Sequence, residues 1–341
     1  MYKFVRSILF LFSAEKAHYL ASDLLRFLLF IPGTKKIIHS IYQIKDKTLE
    51  KDLFGLKFKN PVGLAAGFDK NATFYNDFSH LGFGFIEIGT ITPRPQSGNP
   101  KPRLYRLPED QGIINRFGFN NVGVDAAVEN IRLSNYKGVL GINIGKNYDT
   151  PIEKAADDYL LCMRKVYQYS NYIAINISSP NTKNLRDLQE TKALNSLLAD
   201  LKKEQTRLAD YYGRYVPIAL KISPDLTSKH LNAISKTMIK NKIDGVIATN
   251  TTISRDSLGD IARGNESGGM SGKPLFKLSN SIIHELYERL QGEIPIIGVG
   301  GISSGEDALE KIKAGAELIQ MYSGLIYHGR KLILDACRSI G

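Results

Sequence analysis

The run Tyr172-Ile-Ala-Ile-Asn-Ile-Ser-Ser-Pro-Asn-Thr182 begins as a buried strand and finishes in amides and hydroxyls around a proline. Asparagine is depleted in strand interiors and costs free energy when buried without partners, so Asn176 and Asn181 need something to bind. Gly141-Ile-Asn143 and Ile247-Ala-Thr-Asn-Thr251 likewise close apolar runs with polar groups, and Ile218-Ala-Leu-Lys221 closes one with a charge. Polar tips gathered from several strands would recognise a flat ligand by many hydrogen bonds and leave electron chemistry to a cofactor.

Two further runs end in glycine: Gly298-Val-Gly-Gly-Ile-Ser-Ser-Gly305 and Tyr322-Ser-Gly324. Glycine lets a backbone approach a ligand closely, and N–H groups at a following helix start bind phosphate. Glycine used only for tight turns is the plainer alternative. A phosphate alone suits a sugar-phosphate aldolase or isomerase as well as a flavin enzyme. The former chemistry wants a carboxylate base or a Schiff-base lysine among the strand tips. Among Asn143, Asn176, Ser179, Asn181, Lys221, Thr249 and Asn250 only Lys221 is charged, and Glu87 lies inside a strand. Lys221 would stabilise negative charge on a reduced ring or serve as a structural ion-pair partner.

The elements that must carry these tips alternate short apolar strands with amphipathic helical stretches, the pattern of parallel β/α architecture. Eight strands are predicted: Val62 to Ala65, Phe85 to Gly89, Val139 to Asn143, Tyr172 to Ile177, Pro217 to Ile222, Gly245 to Thr249, Pro295 to Val299 and Glu317 to Met321. Eight such units point to a closed (β/α)8 TIM barrel with its site at the C-terminal strand ends and a phosphate after strands seven and eight. A doubly wound open sheet is the alternative, but its G-x-G-x-x-G is missing; Ser303 stands where the last glycine of Gly298-Val-Gly300 should be. Three connections are long: Thr90 to Gly123, Ser178 to about Glu190, and Thr251 to Gly272. They read as lids and substrate contacts. The first, rich in Pro and Gly with Arg94, Arg103, Arg106 and Arg116, also reads as an irregular solvated excursion.

The chain has 341 residues and a net charge of +11. Cys162 and Cys337 lie far apart, so no disulfide framework or zinc ribbon is indicated, and the six histidines show no ligand spacing. No catalytic metal is expected, and no basic helix with interleaved aromatics points to nucleic acid. Residues 1–50 hold eight Lys/Arg against four Asp/Glu. From Ser13, an expected N-cap, Ala17, Leu20, Ala21, Leu24, Leu25 and Leu28 form one apolar helical stripe. Ile8 to Phe12 and Phe27 to Ile31 flank it, with no uncharged stretch long enough to span a bilayer. Three readings stand open: a helical pair covering the barrel end, a monotopic segment lying in the membrane interface, and a cleaved signal peptide, against which the unbroken helix pattern through Ala14 argues.

Seven motifs in order then become recognisable: Asn60-Pro-Val-Gly-Leu-Ala-Ala-Gly-Phe-Asp-Lys70, Glu87-Ile-Gly-Thr-Ile-Thr-Pro-Arg-Pro-Gln96, Asn115-Arg-Phe-Gly-Phe-Asn-Asn121, Gly141-Ile-Asn-Ile-Gly-Lys146, Ile175-Asn-Ile-Ser-Ser-Pro-Asn-Thr182, Gly245-Val-Ile-Ala-Thr-Asn-Thr251 and Ile296-Ile-Gly-Val-Gly-Gly301. Together they closely resemble the class 2, quinone-dependent dihydroorotate dehydrogenases, over essentially the whole chain. The resemblance implies an FMN barrel, residues 49–341, that oxidises dihydroorotate to orotate in pyrimidine synthesis and passes electrons to a membrane quinone. It implies FMN contacts at Ala66, Gly67, Phe68, Asp69, Lys70, Thr90, Asn143, Asn176, Lys221, Thr249, Gly272, Gly301, Tyr322 and Ser323. Substrate contacts would fall on Lys70, Asn115, Arg116, Phe117, Gly118, Phe119, Asn176, Asn181, Asn250 and Thr251. Lys70 can pair with a substrate carboxylate while the amides bracket the ring's N–H and C=O groups.

Ser179 stands where the family's soluble class has a cysteine base and the quinone-dependent class a serine, so Ser179 is implied as the base, with Thr182 and Phe119 shaping its proton relay. Residues 1–48 would then be a two-helix membrane-associated extension through which quinone approaches, with His18, Arg106 and Tyr322 lining the tunnel. The same resemblance, with an N-terminus lacking an Arg-rich transit peptide, leads us to expect a monomer peripheral to the cytoplasmic face of a bacterial inner membrane. The rivals are a fumarate- or nicotinamide-linked relative, a flavin-free phosphate-binding lyase or isomerase, and a barrel that binds without catalysing.

Overall fold

The computed structural model of the chain describes residues 2–258 and 264–341. Eight parallel strands close into a barrel: β1 (Val62–Leu64), β2 (Phe85–Ile91), β3 (Val139–Ile144), β4 (Tyr172–Asn176), β5 (Ile218–Ile222), β6 (Gly245–Ala248), β7 (Ile296–Val299) and β8 (Leu318–Met321). Each strand pairs with its successor, and β8 returns to β1 with Ile319 opposite Val62. The barrel expected from the sequence is therefore the one formed, with strand ends agreeing to within two residues. Strands covered on both faces must be apolar throughout, which is why they read as unbroken runs rather than alternations. The helices bury a single stripe: Thr191–Tyr212 turns Leu194, Leu197, Leu198, Leu201 and Leu208 inward.

The N-terminal mouth of the barrel is plugged by an antiparallel hairpin, Lys51–Leu53 with Leu56–Phe58. Phe58 lies edge-on to Phe85 at 5.2 Å, and Tyr172 packs against Phe85 in turn. Gly141 makes room for this layer, since a Cβ there would lie 2.1 Å from the Tyr172 ring. The C-terminal mouth carries a second sheet, in which Leu104–Leu107, Gly112–Asn115 and Gly269–Gly272 pair antiparallel. The Thr90 to Gly123 connection is thus a built cover and not an irregular excursion. Of the Thr251 to Gly272 connection, residues 259–263 lie outside the described residues.

Three helices precede the hairpin: α1 (Tyr2–Leu9), α2 (Ala14–Phe30) and α3 (Thr34–Tyr42). A short helix is thus added before the expected pair. Ser13 stands at the N-cap as expected, its carbonyl accepting the first helical bond from Ala17 N–H at 2.9 Å, but its side chain makes no capping bond. Tyr2 Oη donates to the Ile326 carbonyl at 2.7 Å and Arg6 Nη1 to the Tyr327 carbonyl at 2.9 Å, which ties α1 to the helix after β8. Towards the barrel α2 buries its small residues, Ala17 and Ser22, while Leu20, Leu24 and Leu28 of the apolar stripe, and Phe27 beside it, remain exposed. No helix among the described residues is long and apolar enough to cross a membrane.

The tether between α2 and the cover is Glu15, whose carboxylate accepts from Arg103 Nη2 at 2.8 Å and Nε at 3.3 Å. Arg103 is nearly buried, and its Nη1 also donates to the Asn99 carbonyl at 3.0 Å. Burial works against ionisation of Glu15, but the Arg103 hydrogen bond and charge, with Lys101, bring its pKa below the ordinary carboxyl value. Its contribution is therefore fully present above the unfolded-state pKa and fades as pH falls through the lower folded one. Glu15→Ala should cost about 1.5–3 kcal/mol of α2 docking, the usual range for a hydrogen bond to a charged group. Hydrogen exchange would show this as faster opening of residues 14–30 with the barrel strands unchanged; equal protection in both proteins would refute the tether.

Candidate active site

Beneath the C-terminal mouth lies a cavity of about 1020 Å³ including its solvent-filled opening. Its floor is polar. Glu87 of β2, fully buried in the barrel interior, accepts from Asn143 Nδ2 at 2.9 Å, Tyr172 Oη at 2.8 Å and Gln320 Nε2 at 2.7 Å. Lys221 Nζ stands 3.9 Å from the same carboxylate. Burial lowers the Lys221 pKa and the Glu87 charge opposes that shift.

Above the floor the strand-end amides and hydroxyls join into one chain. Thr90 Oγ1 donates to Asn143 Oδ1 at 2.6 Å, Asn176 Nδ2 to Thr90 Oγ1 at 2.9 Å, Ser178 Oγ to Asn176 Oδ1 at 2.9 Å and Asn250 Nδ2 to Ser178 Oγ at 3.0 Å. Side chains expected to act together are thus held by one another across β2, β3, β4 and β6. Asn181 Nδ2 reaches Asn115 Oδ1 at 3.2 Å, linking the β4 loop to the covering sheet. Ser179, 5% exposed, faces the cavity, and its Oγ accepts from Asn181 N–H at 3.2 Å. Lys70 Nζ donates to the Gly67 carbonyl at 2.9 Å and lies 3.8 Å from the centre of the Phe117 ring. Burial, aided by the Arg103 charge, lowers its pKa to about 8. Lys70 and Lys221 are the only charged residues lining the cavity, among the described residues.

Opposite the amides, Gly300 and Gly301 have φ of +125° and +80°, and a Cβ on Gly301 would lie 2.4 Å from Phe276 Cα. A side chain is therefore excluded where the backbone faces the cavity, and Tyr322, Ser323 and Gly324 complete this end. Ala66, Gly67, Thr249, Thr251 and Gly272 line the cavity as expected, as do Gly118 and Phe119, the latter at φ +55°. The hydroxyl of Thr249 and Oε1 of Gln320 are buried without a hydrogen-bond partner in the chain, as is the Thr182 hydroxyl.

Several expected contacts lie elsewhere. Asn143 sits beneath the lining, holding Thr90 and Glu87. The Asp69 carboxylate turns into its own loop, where it accepts from Thr73, Phe74 and Tyr75 N–H groups. The Arg116 side chain leaves the cavity for Glu266 at 2.7 Å, and Thr182, in the loop after β4, is buried and does not line the cavity. Phe68 is packed between His18 at 4.9 Å and Tyr322 at 5.2 Å, so three rings run from α2 to the cavity wall. Burial, and then the Lys70 charge, push His18 down to about 4, leaving it neutral at pH 7. Arg106 donates to the carbonyls of Leu9, Phe10 and Phe12, with its guanidinium 4.3 Å from the centre of the Phe10 ring. Leu104, Ile113, Ser271, Leu275, Gln320 and Met321 also line the cavity and were not anticipated. The first three belong to the covering sheet, whose available signal was two short runs, Leu104 to Leu107 and Gly112 to Asn115, around Pro108-Glu-Asp-Gln111.

Comparison with known proteins accords with this architecture. Residues 48–341 match the family model for dihydroorotate dehydrogenase. The chain is 55% identical, over the full length of both, to the dihydroorotate dehydrogenase (quinone) of Methylobacillus flagellatus. It is also 55% identical to that of Photobacterium profundum, covering 98% of each chain. Among solved structures, the ligand-free DHODH of Eimeria tenella superposes with a TM-score of 0.84 at 38% identity, covering 94% of this chain and 93% of that one. The ferulenol complex of the same protein gives 0.82 at 36% identity, covering 93% of each. With the family model spanning the entire barrel and the bacterial relatives matching through the N-terminal helices as well, the chain belongs to the dihydroorotate dehydrogenase family, in its quinone-dependent class.

Proposed function

We propose that this chain oxidises (S)-dihydroorotate to orotate for pyrimidine (UMP) synthesis, using FMN held in the barrel mouth and a membrane quinone as final acceptor. The observation that carries the reading is a cavity ringed by amides and hydroxyls, with Ser179 on its wall and two lysines as its only charges among the described residues. The residues fit the cofactor. The unpartnered Thr249 hydroxyl and Gln320 Oε1, with Asn176, Thr90 and Lys221, suit the heteroatoms of a flavin ring. The side-chain-free backbone at Gly301, with Gly272, Tyr322 and Ser323, suits a phosphate. FMN bound there would supply the hydride acceptor for substrate C6 and the outlet to the quinone.

The protein's own part is binding and proton transfer. Lys70 pairs with the substrate carboxylate, while Asn115, Asn176, Asn181, Asn250 and Thr251 bracket the ring polar groups. Ser179 Oγ takes the C5 proton as the C5=C6 double bond forms. A serine hydroxyl is a weak base on its own, so its proton must pass on. Thr182, three residues along with a buried and unpartnered hydroxyl, is the next group, with the buried Phe119 ring on the cavity wall keeping water from the relay.

The N-terminal helices serve the second half-reaction. Leu11 and Phe30 are 84% and 85% exposed, and Phe4, Phe27, Ile37 and Ile41 are exposed as well. Burying each such side chain is worth about 1.5–3 kcal/mol, so together they favour an apolar surface. We place this face on the cytoplasmic side of a bacterial inner membrane, with one chain acting alone. Quinone approaches along His18, Phe68 and Tyr322, near the end of α1 that Arg106 secures.

Anaerobic dihydroorotate should bleach the 450 nm region of the purified yellow protein, and a soluble quinone, but not fumarate, should restore it. Ser179→Ala should keep its flavin and bleach at least about 100-fold more slowly, the low end for loss of a general base; bleaching at the normal rate would remove Ser179 from the mechanism. Because Lys70 binds as the ammonium and its pKa lies near 8, kcat/KM for dihydroorotate should fall as pH rises through about 8. Lys70→Arg should carry that limb to higher pH, and an unmoved limb would assign it elsewhere. Leu11→Glu with Phe30→Glu should abolish cosedimentation with anionic vesicles while flavin bleaching continues; retained cosedimentation would place the membrane contact on another face.

A further inference from the structure

Glu87 is the one fully buried carboxylate of the barrel interior among the described residues, and the strand-end chemistry does not account for it. It lies on β2 in the middle of a strand, and its two oxygens are contacted by residues from β3, β4, β5 and β8. Tyr172 comes from the floor of the barrel, where the missing side chain of Gly141 admits its ring. The other three, Asn143, Lys221 and Gln320, are the side chains that make or support the floor of the cavity. An uncompensated anion here would be costly. Neutral glutamine would satisfy Tyr172 and part of the amide network with no such cost, so the charge itself has a use.

That use is visible in Lys221. It is 4% exposed on the cavity floor, and Glu87 is the carboxylate paired with it. A lysine buried alone sheds its proton, and an opposite charge at this range holds it on. We propose that Glu87 is a positioning residue for the redox centre: it keeps Lys221 charged and thereby sets the reduction potential of the flavin above it. The inference rests on the FMN reading given under Proposed function. Two-electron reduction adds negative charge to the ring, and a fixed ammonium beside it favours that state, so weakening the ammonium lowers the potential.

The test is spectroelectrochemical titration of the holoprotein. Glu87→Gln, close to isosteric, should bind flavin and show a lower midpoint potential, with the two-electron equilibrium moved at least tenfold, about 30 mV. Combined with Lys221→Met it should add little to the shift that Lys221→Met produces alone, because both act through one ammonium. Should Glu87→Gln fail to fold, Glu87→Asp keeps the charge but draws it back from Lys221, and should give a smaller shift of the same sign. A flavin-loaded Glu87 variant with the wild-type potential, or a higher one, overturns the inference and leaves the FMN reading standing. A colourless wild-type protein that takes up no FMN overturns both.

Discussion

A carboxylate enclosed in a barrel must be met by donors from the strands around it, and meeting Glu87 arranges much of the mouth above. Its partners come from four different strands, so their backbones are held in one mutual register as well as by the ladder bonds. Asn143, once committed to Glu87 through its amide N–H, has its carbonyl free to accept from Thr90. Thr90 then accepts from Asn176, and the chain continues through Ser178 to Asn250. Each side chain has its rotamer fixed by the one below. A constellation held this way presents hydrogen-bonding groups at defined points without the mobility of a loop.

The N-terminal helices follow a different logic. An ordinary amphipathic helix turns its bulky apolar side chains inward, whereas α2 buries Ala17 and Ser22 and leaves Leu20, Leu24, Phe27 and Leu28 outside. Its attachment is correspondingly polar and local: Glu15 to Arg103, Arg26 to Asp77, and the edge of His18 against Phe68. Attachment by a few directed contacts leaves the large apolar face free for something else, and the Arg103 fork ties that face to the loop covering the cavity. The ring sequence His18, Phe68, Tyr322 runs from α2 to the cavity wall.

Most of the barrel was legible because its period is strict: eight apolar runs of strand length, each followed by a helical stripe, allow few other arrangements. The strand-tip amides were legible for a related reason, being expensive at those positions unless used. Three things were hidden. The covering sheet pairs Gly112–Asn115 with Gly269–Gly272 across more than a hundred residues, and its strands are too short to announce themselves. Asp69 and Arg116 lie inside motifs whose neighbours line the cavity, yet their side chains turn away to hold loops, a choice made by rotamer and not by spacing. In the sequence Glu87 reads only as a charge inside a strand, away from the tips. Its importance depends on Tyr172, Lys221 and Gln320, which are distant in sequence and meet only when the barrel closes.

The two cavity lysines differ in what they lack, and the difference assigns them separate tasks. Lys221 has the Glu87 carboxylate 3.9 Å away, a charge that opposes the lowering of its pKa by burial. Lys70 has a carbonyl and an aromatic face but, among the described residues, no anion within hydrogen-bond reach, and its pKa falls to about 8. Its burial cost is therefore only partly offset in the free protein. An incoming carboxylate would complete the pair and raise that pKa, so anion binding and retention of the Lys70 proton are linked, each favouring the other. A neutral ring of the same shape would gain the amide contacts and forfeit this term. On the reading given under Proposed function, a lysine without a carboxylate beside one that has it would select for an acid over its uncharged analogue.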